Sequence, residues 1–94
     1  MIYNNVVLKV KDSKDIGRVA ELLRQAAVVS RQEAGCERFE VHHSSNDSQV
    51  FLLIESWRDE QALADHRNSI QFTQSYQPNV LPLVEREAHL CDLL

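Results

Sequence analysis

Glu55, Trp57 and His66 are the side chains of this 94-residue chain whose types and spacing could do chemistry together, and all lie in VFLLIESWRDEQALADHRNSIQF, Val50 to Phe72. An imidazole changes charge near neutral pH and can take or give a proton during a reaction. An indole can stack on an aromatic substrate and donate its N–H to a developing oxyanion. A carboxylate can orient the imidazole or, once removed from water, act as a base itself. The same residues also have a structural use. A histidine on an apolar stripe can be a core residue satisfied by Glu55 or by a backbone carbonyl, and a tryptophan ending a core strand can be packing.

The elements around them decide whether they meet. Val50 to Ile54 begins a strand, and alternation sends Phe51, Leu53, Glu55 and Trp57 to one face. Asp59 reads as a helix N-cap, after which Ala62, Leu63, His66 and Ile70 fall on one stripe. A tight turn then folds this helix over the sheet, so that Trp57 and His66 both reach the space between them. Ser69 is a second cap, for a short helix over Ile70 to Tyr76 that Pro78 ends, with YQPNVLP as an irregular connector.

Upstream, Ile2 to Lys11 is a strand with Val6, Leu8 and Val10 on one face and Asn5, Val7 and Lys9 on the other. Asn4 and Asn5 are costly in a strand core unless bonded. Either both fray at the strand end, or one lines a cavity and donates to a ligand oxygen. Asp12 or Ser13 caps a first helix whose apolar positions are Ile16, Val19, Ala20, Leu23, Ala26 and Ala27. It is expected to run to about Glu33 with Gly35 as its stop, and Gly17 to mark close approach of a neighbour. Arg38 to His43 and the strand at Val50 flank the polar turn SSNDS and form a hairpin. His42 and His43 point to opposite faces, so they cannot chelate one metal. Leu83 to Leu94 reads as a last strand, with Leu83, Glu85 and Glu87 opposite Val84, Arg86 and Ala88.

Composition narrows the class. The length suits a single domain over residues 1–94, and a core this small gains from association with a second copy. The apolar tail LCDLL also favours a homodimer interface. A net charge of −4 gives no field for a phosphate backbone, so nucleic acid is not an expected partner. No apolar run approaches the roughly 18 residues of a membrane span, and the first residues lack signal-peptide character. A cytoplasmic location is expected, with no membrane partner. Cys36 and Cys91 have no zinc-site spacing, and no metal site is expected.

The element order is β-α-β-β-α-β, the ferredoxin-like arrangement of an α+β fold with an antiparallel four-stranded sheet. Strands one and three belong in its middle and strands two and four at its edges, which separates the two cysteines and forbids an intrachain disulfide.

Three features of the chain resemble the antibiotic biosynthesis monooxygenase family: Gly35-Cys36-x-Arg38-Phe39-Glu40-Val41; Glu55-x-Trp57-x-Asp59 followed by Ala62-Leu63-x-x-His66-x-x-Ser69-x-x-Phe72; and the length and order of elements over nearly the whole chain. The second is the specific one. The resemblance implies a dimeric α/β barrel, in which two protomers pack their sheets face to face, and a small-molecule pocket between sheet and helices. Members include cofactor-independent oxygenases of phenols and quinols, haem-degrading enzymes and isomerases of phosphorylated autoinducer.

By that resemblance His66, Trp57 and Asn5 are the catalytic candidates, with His66 as base and Asn5 holding a carbonyl. Glu55, Phe39, Phe51, Phe72 and Tyr76 are the candidates for holding substrate. A pocket arginine of some polyketide oxygenases has no clear match, Arg38 and Arg86 being the candidates. The resulting expectation is a monooxygenase that needs no cofactor and acts on a small electron-rich aromatic. Its rivals are a proton-transfer isomerase of a small carbonyl compound and a non-catalytic binding dimer. Haem degradation fits less well, because His66 alone offers an iron ligand in the pocket.

Overall fold

Alternation along the strands and a 3.6-residue period along the helices produce two layers, a sheet with helices on one face. The computed structural model describes all 94 residues, Met1–Leu94. Its elements are β1 (Ile2–Val10), α1 (Ile16–Ser30), β2 (Cys36–His43), β3 (Val50–Trp57), α2 (Glu60–Arg67), a π-wound helix (Phe72–Val80) and β4 (Val84–Cys91). Short 3₁₀ turns, Ser13–Asp15 and Leu81–Leu83, enter α1 and β4. The sheet is antiparallel in the order β2-β3-β1-β4. The fold is therefore the expected ferredoxin-like α+β fold, with β1 and β3 central.

Register decides what faces the helices. Asn4 pairs with Glu55, Val6 with Leu53 and Leu8 with Phe51, while on the other side of β1 Leu8 pairs with Arg86. On β2, Phe39 pairs with Glu55 and Val41 with Leu53. All of these point toward the helices. Ten buried residues pack at one end of this face, Val6, Leu8, Val10, Phe51 and Leu53 from the inner strands among them, closed by Val19 and Leu23 of α1. A smaller cluster, Ala27, Phe39, Trp57, Ala62 and Leu63, sits at the other end. The outer face keeps Tyr3, Asn5, Val7, Leu52 and Ile54 half-buried.

Asp12 caps the 3₁₀ turn before α1 and not α1 itself, whose N-cap Asp15 makes no side-chain bond, while the two later caps behave as the sequence suggests. Asp59 accepts a hydrogen bond from the Ala62 N–H at 2.8 Å, and Ser69 Oγ one from the Phe72 N–H at 3.1 Å. Gly35 adopts φ +82°, and a Cβ there would lie 2.5 Å from the Ala62 Cβ. Only glycine meets both demands, and α2 is thereby held close to the loop before β2.

Five expectations need correction. α1 stops at Ser30, because three-residue hydrogen bonds from Gln32 to Val29 and from Glu33 to Ser30 tighten the chain into a turn. Gly17 has no neighbour within 4 Å of an added Cβ, so no close approach explains it. Ile70 leaves the α2 stripe and is 74% exposed. Pro78 does not end the last helix: the winding widens to the π form, with the Leu81 N–H reaching Tyr76 O, and carries the chain past the missing proline N–H. β4 is shorter than expected, and Leu93 and Leu94 project beyond it. Cys36 and Cys91 are free thiols on the two edge strands, as the topology requires. No helix is long and apolar enough to cross a membrane.

Candidate functional site

Where β1 and β3 change from valine, leucine and phenylalanine to Asn4 and Glu55, the covered face stops being apolar. A narrow pocket lies there between sheet and helices. The sheet contributes Asn4, Phe39, Leu53, Glu55 and Arg86; α1 contributes Ala26 and Ser30, and α2 Leu63, His66 and Arg67. Gln71, Phe72 and Tyr76 close it from the last helix. The free space inside it is about 20 Å³, room for roughly one water molecule and well below the roughly 300–1,000 Å³ of open small-molecule sites. Its walls approach closely, so a molecule larger than water requires side chains to move aside.

His66 is the group best placed to move a proton. It is 6% exposed, and its Nδ1 lies 2.7 Å from Glu33 Oε2. With Nδ1 as the donor to that carboxylate, Nε2 is the basic nitrogen, and it has no protein partner. The ring is clamped by aromatics: its centroid is 4.4 Å from that of Trp57, 5.7 Å from Phe39 and 5.4 Å from Phe72. A carboxylate on one nitrogen and rings on both sides fix the direction in which the other nitrogen points.

Glu55 forms a separate unit. The Trp57 Nε1–H donates to Glu55 Oε1 at 3.0 Å, and the Asn4 amide donates to the same oxygen at 3.4 Å. Burial pushes the Glu55 carboxyl above its ordinary pKa, while the Trp57 bond, the charge of His66, the Asn4 bond and the charge of Arg86 pull it back. Burial also raises the Tyr76 phenol, against the opposing pull of Arg86, whose Nε–H donates to the phenol oxygen at 3.3 Å. A carboxyl that ionises reluctantly beside a clamped imidazole can hold, give or accept a proton.

Most of the sequence candidates converge here: His66, Glu55, Phe39, Phe72 and Tyr76 line the pocket. Three do not. Trp57 is fully buried behind His66, its N–H is committed to Glu55, and it does not line the pocket. Phe51 lies in the apolar cluster, its outer side covered by the stacked ring of His43 at 4.1 Å. Asn5 points to the opposite face, where its amide meets Cys91 Sγ at 3.5 Å. The pocket asparagine is Asn4, which shares the alternation of Val6, Leu8 and Val10. Strand parity alone points to it.

Of the two candidate arginines Arg86 lines the pocket, as does Arg67, while Arg38 is held by Glu40 outside the site, where Arg38 and His42 bring that carboxyl down to about 2. Glu33, Ser30 and Gln71 had no sequence signal. Glu33 sits in a turn, and its contact with His66 exists only once α2 has docked. Nowhere do three His, Cys, Asp or Glu side chains come close enough to hold a metal ion.

Known structures share this fold. A conserved protein of Bacteroides thetaiotaomicron, described as a possible oxidoreductase, superposes with a TM-score of 0.90 at 25% identity, covering 98% of this chain and 96% of its own. A Pseudomonas aeruginosa protein does so with 0.86 at 25% identity, over 99% and 94%. The crystal structure of an antibiotic biosynthesis monooxygenase gives 0.87 at 23% identity, over 98% of each chain, which speaks to the fold alone. No curated protein matches the sequence. The family model described as antibiotic biosynthesis monooxygenase matches residues 1–77, a span that contains every pocket residue except Arg86. The chain belongs to the antibiotic biosynthesis monooxygenase family.

Proposed function

We propose that this chain is a cofactor-independent monooxygenase that oxidises a small electron-rich phenol, quinol or related carbon acid in the pocket. The observation that carries the reading is the imidazole of His66, held by Glu33 at 2.7 Å and lining the pocket between sheet and helices. His66 Nε2 removes the substrate proton. The resulting anion, shielded from water, is electron-rich enough to pass electrons to dioxygen itself. Arg86 offers a cation to the anion, Glu55 with Asn4 marks the polar side of the floor, and Trp57 holds the imidazole from behind. For an anthrone the balance is ring CH₂ plus O₂ giving ring C=O plus H₂O: the carbon is oxidised, one oxygen atom is inserted and the other leaves as water.

The test is oxygen uptake with naphthoquinols and anthrones. Uptake should be nearly lost in His66→Ala, and Glu33→Gln should lower it less while moving the pH profile of the rate. Unchanged uptake in His66→Ala would overturn the assignment.

A second reading is favoured by one observation: the buried Glu55, with its raised pKa, offers a second proton-transfer group on the sheet side of the pocket, facing His66 on the helix side. A proton-transfer isomerase of a small carbonyl compound would use that pair without oxygen. It predicts anaerobic exchange of solvent deuterium into a ketone substrate. A binding dimer would give saturable ligand binding and neither signal. In all three readings the half-buried apolar outer face of the sheet, with Val7, Leu52 and Ile54, joins a second copy. Sedimentation at micromolar concentration should report a dimer, and a stable monomer would contradict it.

A further inference from the structure

The walls of the pocket are not equally held. Asn4, Leu53 and Glu55 stand on β1 and β3, each of which is hydrogen-bonded to a strand on both sides. Ser30 ends α1 fully buried. The helix α2 is pinned by the Asp59 cap, by the contact of His66 with Glu33 at 2.7 Å and by Ala62 against Gly35. The wall made by Gln71 and Phe72 is different. It belongs to the stretch from Asn68 to Ser75, which joins α2 to the body of the last helix.

That stretch is fastened at its ends and through one ring. None of its residues is buried, and Ile70 is 74% exposed. Its side chains bond only within a turn of chain: the Asn68 amide donates to Ala64 O, the Phe72 N–H to Ser69 Oγ and the Thr73 hydroxyl to Ser69 O. No hydrogen bond ties it to the sheet or to α1. Burial resumes at Tyr76 and Val80, which sit in the large apolar cluster, and Arg86 donates to the Tyr76 hydroxyl at 3.3 Å. The one ring is that of Phe72, half-buried, 5.4 Å from His66 and 5.1 Å from Tyr76. Segments with few buried contacts and only local hydrogen bonds open while the rest of a fold stays intact.

The pocket itself indicates which way this segment moves. Its free space of about 20 Å³ admits a water and no organic molecule. Three buried polar atoms among its lining residues, Asn4 Oδ1, Ser30 Oγ and Gln71 Nε2, have no hydrogen-bond partner. The last of these lies on the loosely held stretch. Shutting the stretch takes that donor out of water and gives it no protein acceptor, and swinging it out returns the donor to solvent.

We propose that Asn68 to Ser75 is a gate, shut in this structure, which swings out between fixed ends at Arg67 and Tyr76 with Phe72 as its latch. This names how entry to the site assigned above is controlled and rests on that assignment for its purpose, though the motion is measurable without any ligand.

Cysteine accessibility in the full chain tests it. Ser30→Cys places a thiol on the pocket wall, and Val19→Cys places one in the sealed apolar cluster. Iodoacetamide is larger than the free space, so it alkylates the first only when a wall moves. Peptide mass spectrometry separates both positions from the native Cys36 and Cys91. Ser30→Cys should react at least about tenfold faster than Val19→Cys, at a rate insensitive to low urea, as local opening requires. Phe72→Ala should raise the pocket rate about tenfold and Gln71→Met should lower it, while Val19→Cys changes only with global stability. Circular dichroism checks each fold. If Phe72→Ala does not fold, Ser69→Ala, which removes the local cap, should raise the rate in its place, and Ala26→Cys on the same wall replaces a disturbed Ser30→Cys. A pocket thiol that reacts only as fast as Val19→Cys, with the same urea dependence, would overturn the gate. So would fast reaction that no substitution in the stretch alters, because entry would then run by another route. The oxygenase reading fails separately: absence of oxygen uptake with every quinol removes the reaction and leaves these alkylation rates as they are.

Discussion

The two ends of the helix-covered sheet face are made by the same strands and differ in nearly everything else. From Val10 through Leu8 and Val6, β1 is sealed against Phe51, Leu53, Val19 and Leu23, with no polar side chain among the ten buried residues except the tyrosine hydroxyl of Tyr76. One step further along the same parity, Asn4 and Glu55 occupy the equivalent positions, and Ser30 and His66 face them from the helices. The first end lowers the free energy of folding by removing apolar surface from water. The second gives up some of that gain: each orphaned polar atom costs about 1–3 kcal/mol when nothing fills its site. A sealed apolar end and a polar end thus lie side by side, on strands that hold both in register.

That contrast can be broken from either side. The largest effect is expected from His66→Gln, which retains bulk near Trp57 but removes the proposed base: turnover should fall by about 10²–10⁴-fold, with only a small shift in the urea midpoint. Leu23→Ala should do the reverse. Emptying a fully buried site in the apolar cluster costs about 2–5 kcal/mol, while oxygen uptake per folded molecule stays the same. Denaturation curves paired with uptake rates check both, and a large rate loss in Leu23→Ala would show that the two ends are not independent.

Gly35→Ala probes the joint between them. Positive φ costs an L-residue about 1–2 kcal/mol, and the 2.5 Å approach to Ala62 must be relieved by displacing α2, which carries His66. Stability and rate should fall together.

The smallest effect concerns pH. The folded pKa of Glu55 is raised above its ordinary 4.5, so the folded state holds that proton more tightly than the unfolded one. Its contribution to stability is then fully present below pH 4.5 and is lost as pH rises through the folded value. Glu55→Gln keeps an oxygen for Trp57 and Asn4 but cannot ionise. It should be more stable than the parent near neutral pH, with the difference vanishing in acid. Urea midpoints measured at the two ends of this range check the sign, and a variant less stable at neutral pH would mean that His66 and Arg86 hold the carboxylate more strongly than burial opposes it.

Much of this was legible in the residues. The parity of β3 placed Glu55 on the face of Leu53, and the stripe of α2 placed His66 opposite it, because those relations are local. The same parity identifies Asn4, against the match by family position to Asn5. Trp57 shows the other side: its face was correct, but whether its N–H pointed at a substrate or at its neighbour Glu55 depended on side-chain packing. Pro78 reads as a helix end because proline lacks an N–H, and the wider π winding escapes that rule.

Alternation, caps and the glycine before β2 determined the order of elements, the central strands and the face on which the acid, the indole and the imidazole lie, since each depends on neighbours a few residues away. The tertiary structure alone decided that Glu33 binds His66 across 33 residues, that Trp57 stands behind the pocket wall, and that three polar atoms are left without partners in one cavity. Those outcomes depend on how helices dock on the sheet, and periodicity carries no information about which side chains meet between elements.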